Sequence, residues 1–483
     1  MTKMHDLVIR GGTVATAEKV FRADVGIRGE TVVEVGQDLV GRKAIDASGK
    51  LVMPGGVDSH CHVEQLSSTG KMCADDFYSA TVAAAFGGTT TIVPFAAQHR
   101  GNSIVAVVDD YAKRAAEKAV IDYGFHLIIS DPTEHALNVE LKEMVARGIT
   151  SFKVYMTYEL LRLNDAQMLD VLAAADRERA LVMVHAENHE MIQWLTKKLL
   201  ARGHGAPKYH MTAHHALAEA EATHRVVALS RLLDVPVLIV HVSGGEAAKT
   251  IRAAQALGAR VFAETCPQYL FLEGDDADKP GLEGAKWCCS PPPRDKASQE
   301  AVWQGLKDGT FHVLSSDHAP YRFDESGKLP KGDKTTFKDM ANGVPGLQVR
   351  LPLLFSEGVG NKRISLEEFV ALTATNHARM YGLSRKGRLE EGADADIAIW
   401  DPEKQVTLTA GMMKDNVGYT PYEGMQVTGW PVTVISRGRV AVADDRLLVE
   451  KGTGKFVARG VPAPVASARL RDGPAAILRE LIG

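Results

Sequence analysis

The sequence predicts an α/β protein with a (β/α)8 TIM-like barrel and a smaller β-sandwich domain built from both chain ends. Its 483 residues exceed the length of one ordinary small domain. Eight apolar runs, of the type found in buried parallel strands, alternate with helical stretches through the middle of the chain. Eight is also the number of parallel strands that closes such a barrel. Shorter β-type runs with turn signals occupy both ends.

The two chain ends share the pattern of a small sheet domain. Their short β-type runs are residues 7–9, 25–27, 31–33, 395–400, 405–408 and 432–436. We interpret residues 1–52 and 381–455 as the two parts of one β-sandwich domain, followed by a C-terminal tail over residues 456–483. Two separate caps on the middle domain are the alternative.

Residues 53–380 are predicted to form the barrel domain. Its predicted strands are residues 51–57, 90–95, 124–129, 149–155, 181–185, 236–242, 260–264 and 311–316. The intervening helices include residues 74–86, 105–118, 164–179 and 245–257. An open doubly wound sheet would bring a glycine-rich phosphate loop after an early strand. Here the first run is followed by His60, Cys61 and His62 instead, so the barrel is favoured.

Composition and charge exclude several classes of partner. Hydrophobic residues make up 45% and charged residues 24%, as in soluble globular proteins. The net charge is -4 and no basic run stands out, so we expect no nucleic-acid partner. Five scattered cysteines make no disulfide framework, and the first residues lack the pattern of a secretion signal. The longest uncharged stretch, residues 77–98, is broken by glycines and a proline, so we expect no membrane span and a cytoplasmic location.

The residues that could bind a metal ion or take part in catalysis stand at the predicted strand ends. In a barrel of this kind the active site lies at the carboxyl ends of the strands. Five of the eight ends provide a metal-competent or ionisable group, and these groups are His60 and His62, Lys153, His185, His241 and Asp317. Four imidazoles and one carboxylate are ligands of the type that zinc takes, and six positions are too many for one tetrahedral ion.

The individual signals differ in strength. His60 and His62 are two residues apart at a strand end, so they face the same side. His185 or His241 alone would more often be an ordinary core histidine. A lysine inside an apolar strand, as Lys153 is, must reach solvent, pair with an acid or lose its charge. Two metals would use all six positions if the amine of Lys153 had reacted with carbon dioxide to give a bridging carbamate.

The chain resembles the hydantoinase and dihydropyrimidinase family, which is the cyclic-amidohydrolase branch of the amidohydrolase superfamily. The matching segments are residues 54–62 (PGGVDSHCH), 74–77 (ADDF), 87–90 (GGTT), 152–156 (FKVYM), 185–187 (HAE), 241–243 (HVS), 289–292 (CSPP), 316–320 (SDHAP), 374–376 (ATN), 386–388 (KGR) and 391–396 (EGADAD). They occur in the family's order from about residue 11 to about residue 402.

The resemblance implies a centre of two zinc ions per subunit. His60, His62 and Asp317 would hold one ion, and His185 and His241 the other. Lys153, carried as N6-carboxylysine, would bridge the two together with a hydroxide. A homo-oligomer, a tetramer by resemblance, is implied as well.

The resemblance also implies the reaction. The substrates would be cyclic diamides, such as 5-substituted hydantoins or dihydropyrimidines, opened at a ring amide bond to N-carbamoyl amino acids. Asp317 would act as general base and acid, and Tyr158 would donate its phenol to the developing oxyanion. Ser290 and Asn342 match positions whose backbone groups hold the ring amide.

Several alternatives stay open on the sequence alone. Allantoinase shares the metal ligands, whereas a dihydroorotase usually has an arginine just after the metal pair, where this chain has Val63 and Glu64. A non-catalytic scaffold of the same fold would lack ligands that are all present here. The loop over residues 63–68 is more polar than the gate expected for bulky substituents, so the substrate and its handedness are open. His210 and His214 are predicted to lie in a polar surface region without a metal role.

Overall fold

The structure is a computed structural model that describes residues 4–67 and 69–467. Ser68, at the end of the polar loop, and residues 468–483 of the predicted tail lie outside the described residues. A curled parallel sheet of seven strands forms the centre of the molecule. In spatial order its strands are Phe95–Ala97, His126–Ile128, Ser151–Tyr155, Leu181–His185, Val237–Ile239, Val261–Thr265 and Val313–Leu314.

A second parallel sheet continues this arrangement. Its three strands are Gly56–Asp58, Thr89–Ile92 and Asp122–Tyr123. Beyond the first and last strands, Cys61 and His318 form a parallel bridge, and the backbone N–H of Ser316 donates to the Asp58 carboxylate at 3.2 Å. Each of the eight predicted strands contributes residues to these two sheets, and the domain has an α/β, TIM-like fold. The strand ends that carry the predicted ligands therefore meet on one rim.

The first predicted strand is divided between two different sheets. Leu51–Pro54 pairs with the strand Ile397–Thr407 of the C-terminal part, whereas Gly56–Asp58 pairs with Thr89–Ile92 in the barrel domain. Between them, a Cβ on Gly55 would lie 2.2 Å from Oγ1 of Thr90. Only glycine lets the backbone pass so close to the neighbouring strand. The sheet at the chain ends thus extends to Pro54, past the predicted boundary at residue 52.

Helices follow most barrel strands. The α-helices are Phe77–Phe86, Ile104–Lys118, Leu141–Ala146, Asp165–Arg177, His189–Ala201, Tyr209–Ala213, Ala216–Leu233, Gly245–Ala256, Gln268–Phe271, Lys296–Lys307, Arg350–Leu354, Leu366–Val370, Asn376–Met380 and Ala463–Ala466. The helix predicted from residue 74 begins at Phe77, because the Asp76 side chain accepts a hydrogen bond from the Ser79 N–H and caps it there. Within the described ranges, no helix has both the length and the apolar character needed to cross a membrane.

The two chain ends contribute strands to shared sheets. One sheet of four strands contains Thr31–Gly36, Asp24–Arg28, His5–Arg10 and Gly41–Asp46. The other, of seven strands, contains Arg446–Leu447, Arg439–Ala443, Gln426–Ser436, Ile397–Thr407, Leu51–Pro54, Thr13–Ala15 and Val20–Arg22. Buried side chains of both sheets, among them Ile9, Val25, Val52 and Ile397, belong to one hydrophobic cluster. Burying these apolar groups stabilises the sheets against one another.

A buried ionic cluster joins the C-terminal part to the barrel. The Lys386 ammonium contacts the carboxylates of Asp122, Asp394 and Asp396, with Nζ–O distances of 3.0 Å to Asp394 and 2.6 Å to Asp396. Although burial lowers the pKa of Lys386, the carboxylates of Asp396 and Asp122 raise it above its usual value. The Lys386 ammonium therefore occupies the position between these three carboxylates in which a metal ion would bind.

The described part of the predicted tail lies along the end of the barrel away from the ligand-bearing rim. The ring of Phe456 stacks on that of Phe125 at 5.8 Å between centres. Arg459 is buried and donates to the Ser151 hydroxyl at 2.8 Å and to the backbone carbonyl of Phe125. Ser151 begins the strand that carries Lys153, so these contacts support the ligand-bearing strand from its amino end.

Candidate metal centre and active site

The predicted site residues line a single pocket at the carboxyl ends of the barrel strands. They are His60, His62, Lys153, Tyr158, His185, His241, Ser290, Asp317 and Asn342. The pocket wall is completed by polar groups such as Gln65, Ser67 and Thr69, in agreement with the polar loop noted in the sequence. Residues more than 280 positions apart thus meet because parallel strands end on the same rim.

His60, His62 and Asp317 form the tightest group in the pocket. The Nε2 atoms of His60 and His62 lie 3.1 Å and 3.4 Å from Oδ1 of Asp317. Their candidate ligand atoms all lie within 4.8 Å of one another. Two imidazole nitrogens and one carboxylate oxygen at this spacing form a donor set of the kind that binds zinc.

The other two imidazoles lie beside this group. The ring centres of His185 and His241 are 4.5 Å apart, and those of His60 and His241 are 5.4 Å apart. Nδ1 of His241 is buried, and it has no hydrogen-bond partner among the residues that the structure describes. A buried nitrogen without a partner is costly in a folded protein, and a cation would satisfy it.

Lys153 is buried in the same pocket wall. Its Nζ lies 5.2 Å from the ring centres of both Phe95 and Tyr155. Burial lowers the pKa of Lys153 to about 8, while the carboxylates of Glu264 and Asp317 act in the opposite direction. The amine is therefore far closer to its neutral, nucleophilic form at physiological pH than an exposed lysine would be.

Oxygen acceptors hold one ring nitrogen of three of the four imidazoles. The pairs are His60 Nδ1 with Glu264 Oε1 at 2.5 Å, His62 Nδ1 with Gln65 Oε1 at 2.8 Å, and His185 Nε2 with Glu187 Oε2 at 2.8 Å. Such a contact fixes the tautomer, because the held nitrogen carries the proton and the opposite nitrogen keeps its lone pair. This is the arrangement of metal-binding histidines, so the residues fit a metal centre. Sequence reasoning missed these acceptors, although Glu264 stands at the end of the seventh predicted strand.

The charges of the site favour an ionised carboxylate. Burial alone would raise the pKa of Asp317, but His60, His62 and His241 hold it well below its usual range. Burial also lowers the pKa of His241 well below its usual value, with His185 adding to the effect. His60 differs: burial acts to lower its pKa, but Glu264 and Asp317 raise it above its usual value. An ionised carboxylate among imidazole nitrogens is suited to binding cations.

Three site residues have backbone conformations that are rare outside glycine. The φ angles are 69° for Tyr158, 41° for His241 and 47° for Asp317. A non-glycine residue pays a free-energy penalty in this region of backbone space, and such residues cluster at functional sites. The surrounding barrel therefore holds these side chains in orientations that a relaxed chain would not adopt.

His214 and His210 are buried, which corrects the prediction that they lie in a surface region. The two residues are 7% and 1% exposed. Nδ1 of His214 lies 2.9 Å from Oε1 of Glu187, whose other oxygen contacts His185. The local pattern around residues 204–215 is polar, and only the packing of this segment against the rim buries it. His214 thus supports a candidate ligand through one carboxylate.

The same buried network reaches the strand end that carries His241. Arg294 donates to the backbone carbonyl of His214, and its Nη2 lies 3.1 Å from Oε2 of Glu219. Glu219 in turn accepts from the backbone N–H of Ser243 at 2.8 Å. The candidate ligands on two neighbouring strands are therefore anchored to one chain of charged and polar groups.

Tyr158 lines the pocket beside His185. Its ring centre is 5.2 Å from that of His185. Burial and the nearby Glu187 raise the pKa of the phenol, and the neighbouring side chains of Ser290 and Asn342 oppose this shift. The phenol therefore keeps its proton at neutral pH and can donate it in a hydrogen bond.

Comparison with known proteins identifies the family. The model of the amidohydrolase family matches residues 51–441. A D-hydantoinase of Ralstonia pickettii is 41% identical over 457 residues, covering 94% of this chain and 99% of that protein. The chain belongs to the hydantoinase and dihydropyrimidinase branch of the amidohydrolase family. The resemblance drawn from the sequence motifs is thereby confirmed, and as a member of this branch the protein is a cyclic amidohydrolase.

Other relatives of this amidohydrolase agree. A D-hydantoinase of Geobacillus stearothermophilus is 41% identical over 463 residues, covering 95% of this chain and 97% of that protein. The crystal structure of a dihydropyrimidinase from Brevibacillus agri superimposes with a TM-score of 0.92 at 42% identity, covering 94% of this chain and 99% of that one. The amidohydrolase therefore shares its fold with these proteins over nearly its whole length.

Proposed function

We propose that the protein is a zinc-dependent hydrolase that opens the ring amide bond of cyclic diamides to give N-carbamoyl amino acids. The substrate class is that of 5-substituted hydantoins or dihydropyrimidines, after the names of its relatives. The observation that carries the proposal is the convergence of six donor side chains and the Tyr158 phenol on one pocket. The presence of every donor argues against a non-catalytic scaffold.

The proposed centre holds two zinc ions per subunit. His60, His62 and Asp317 would hold one ion, His185 and His241 the other, and Lys153 as N6-carboxylysine would bridge them. Zinc supplies Lewis acidity, which polarises an amide carbonyl and lowers the pKa of water from 15.7 towards about 7. The oxygen acceptors Glu264, Gln65 and Glu187 support this assignment, because they leave one nitrogen of each ring available.

The environment of Lys153 supports its carboxylation. With a pKa of about 8, roughly one-tenth of the amine is neutral at pH 7, compared with well under ~0.1% for an exposed lysine. The neutral nitrogen forms a bond to the carbon of carbon dioxide and releases one proton, which leaves a carbamate of one negative charge. Burial of that charge requires neighbouring cations, so carboxylation and metal binding stabilise each other.

The remaining side chains would perform the proton transfers and hold the substrate. Asp317 would take the proton of the attacking water and pass it to the leaving ring nitrogen. Tyr158 would donate its phenol to the carbonyl oxygen as negative charge develops there. The backbone groups of Ser290 and Asn342, which line the same pocket, would hold the ring amide in position.

An activity panel tests the proposed function directly. Zinc-loaded protein is assayed with hydantoin, phenylhydantoin, dihydrouracil, allantoin and dihydroorotate, and its zinc content is measured alongside. We expect about two zinc ions per chain and ring opening of a hydantoin or of dihydrouracil. Exclusive hydrolysis of allantoin would assign the protein to allantoinases instead, and metal-free, inactive protein would favour a scaffold.

A variant of His214 tests the buried support of the second zinc site. In His214→Leu, Glu187 loses its other partner and holds His185 less firmly. Loss of such an outer contact typically weakens metal affinity by about 10- to 100-fold. We expect the zinc content under mild chelation to fall from two ions per chain towards one.

His215→Asn is the matched control. The adjacent His215 accepts a hydrogen bond from the Leu217 N–H at a helix start, and asparagine can replace it in that role. The control should keep both ions. Retention of both ions by His214→Leu under the same chelation would contradict the supporting role of His214.

The organisation of the chain is part of the proposal. The shared cluster containing Ile9 and Ile397 supports a β-sandwich domain built from residues 1–52 and 381–455, beside a barrel over residues 53–380 and a tail over 456–483. Five free, buried cysteines suit the reducing cytoplasm. A homotetramer is inferred from the resemblance alone, and native mass spectrometry would test it.

A further inference from the structure

Lys328 is a fully buried lysine outside the proposed metal centre. Its side chain is 0% exposed. The ammonium donates to three backbone carbonyls, those of Cys288 at 2.7 Å, Ala341 at 2.8 Å and Gly343 at 2.7 Å. An ammonium has three N–H donors, so each donor has its own acceptor.

The three carbonyls hold a charged rather than a neutral amine. Burial lowers the pKa of Lys328 to about 8, so most of the group is still protonated at neutral pH. Within residues 4–67 and 69–467, no carboxylate pairs with it. A neutral amine would have only two N–H donors, so it could not donate to all three carbonyls at once. Burying a positive charge is costly, and the three carbonyl acceptors offset that cost here.

The carbonyls belong to the two loops that carry the proposed substrate-binding residues. Cys288 lies two positions before Ser290, whereas Ala341 and Gly343 lie on either side of Asn342. The backbone N–H of Gly343 also donates to the carbonyl of Cys288 at 3.0 Å, so the two loops meet directly beside the ammonium. Ser290, Asn342 and Gly343 line the active-site pocket, while Lys328 lies behind them.

We propose that the Lys328 ammonium is a positioning residue that holds the Ser290 loop and the Asn342 loop at the spacing required by the ring amide of the substrate. This inference rests on the proposed function. Lys328 touches no substrate atom, and it acts by fixing three carbonyls whose chain neighbours would contact the ring. One buried cation thereby links three backbone carbonyls on two irregular loops.

Lys328→Met provides the test, because methionine fills similar volume without N–H donors. We expect the KM for the best ring substrate to rise by about tenfold or more, with two zinc ions retained and a smaller change in kcat. A merely structural role would lower stability, zinc content and kcat together, without this selective rise in KM.

Lys331→Met is the matched control, since Lys331 lies in the same segment, is exposed and pairs with Asp339. Its kinetic constants should equal those of the unmodified protein. Should Lys328→Met fail to fold, Lys328→Gln, which keeps two N–H donors, enters the same assay with an expected intermediate KM. An unchanged KM in a folded Lys328 variant would overturn the inference, whereas an unmodified protein that binds zinc but opens no ring would overturn the proposed function instead.

Discussion

Lys153→Ala is expected to lose zinc and ring-opening activity together while the protein stays folded. The variant lacks the amine that we propose to bridge the two ions, and the two remaining ligand groups would bind metal weakly. Its cavity lies between the rings of Phe95 and Tyr155 and should cost about 2–4 kcal/mol of stability, which a domain of this size tolerates. Metal analysis, circular dichroism and an assay with the best ring substrate measure the three outcomes.

The unmodified protein provides a further readout of the same proposal. Intact-mass measurement under native conditions should show the added mass of one carbon dioxide, and this addition should be absent from Lys153→Ala. Lys142→Ala, at an exposed position on the helix Leu141–Ala146, is the control and should keep both zinc ions. Two tightly held ions in Lys153→Ala would rule out the bridge.

Tyr158→Phe is expected to lower kcat by about 10²–10³ with little change in zinc content. The substitution removes only the phenol hydroxyl, and the loss of one oxyanion donor typically costs about 3–4 kcal/mol. Because the ring remains, its packing beside His185, at 5.2 Å between centres, should persist. Steady-state kinetics with the best ring substrate, together with metal analysis, measure this effect.

The control for this variant is Tyr78→Phe. Tyr78 loses the same hydroxyl from a helix that does not border the pocket, and its turnover should not change. If Tyr158→Phe turned over as fast as the unmodified protein, the phenol could not be the oxyanion donor, and the carbonyl would need another donor in the pocket.

The candidate ligands could be predicted because a barrel converts sequence position into spatial position. Each parallel strand presents its carboxyl end at the same rim of the barrel. A metal-binding type of residue at a strand end is therefore expected at that rim. His185 and Asp317, more than 130 positions apart, required only that their strands be recognised. Helix bounds were also predictable to within a few residues, because capping side chains such as Asp76 act locally.

The supporting residues could not be predicted, because their roles depend on contacts between distant segments. Glu264 contacts His60 across 204 positions, and Lys328 reaches carbonyls 13, 15 and 40 positions away. Nothing in the local pattern around Lys328 distinguishes it from the exposed Lys331 three residues later. The packing of whole loops decides whether such a lysine is buried and which groups it contacts.

By itself the sequence determined the alternation of strands and helices, the donor types at the strand ends and the family. These features follow from local periodicity and from short motifs, which need no knowledge of long-range contacts. Only the tertiary structure decided that residues 51–57 divide between two sheets at Gly55, that His214 is buried behind Glu187, and that Lys328 joins two loops. Each of these outcomes depends on which backbone segments approach one another, and that is decided by the burial of the whole chain rather than by any short stretch of it.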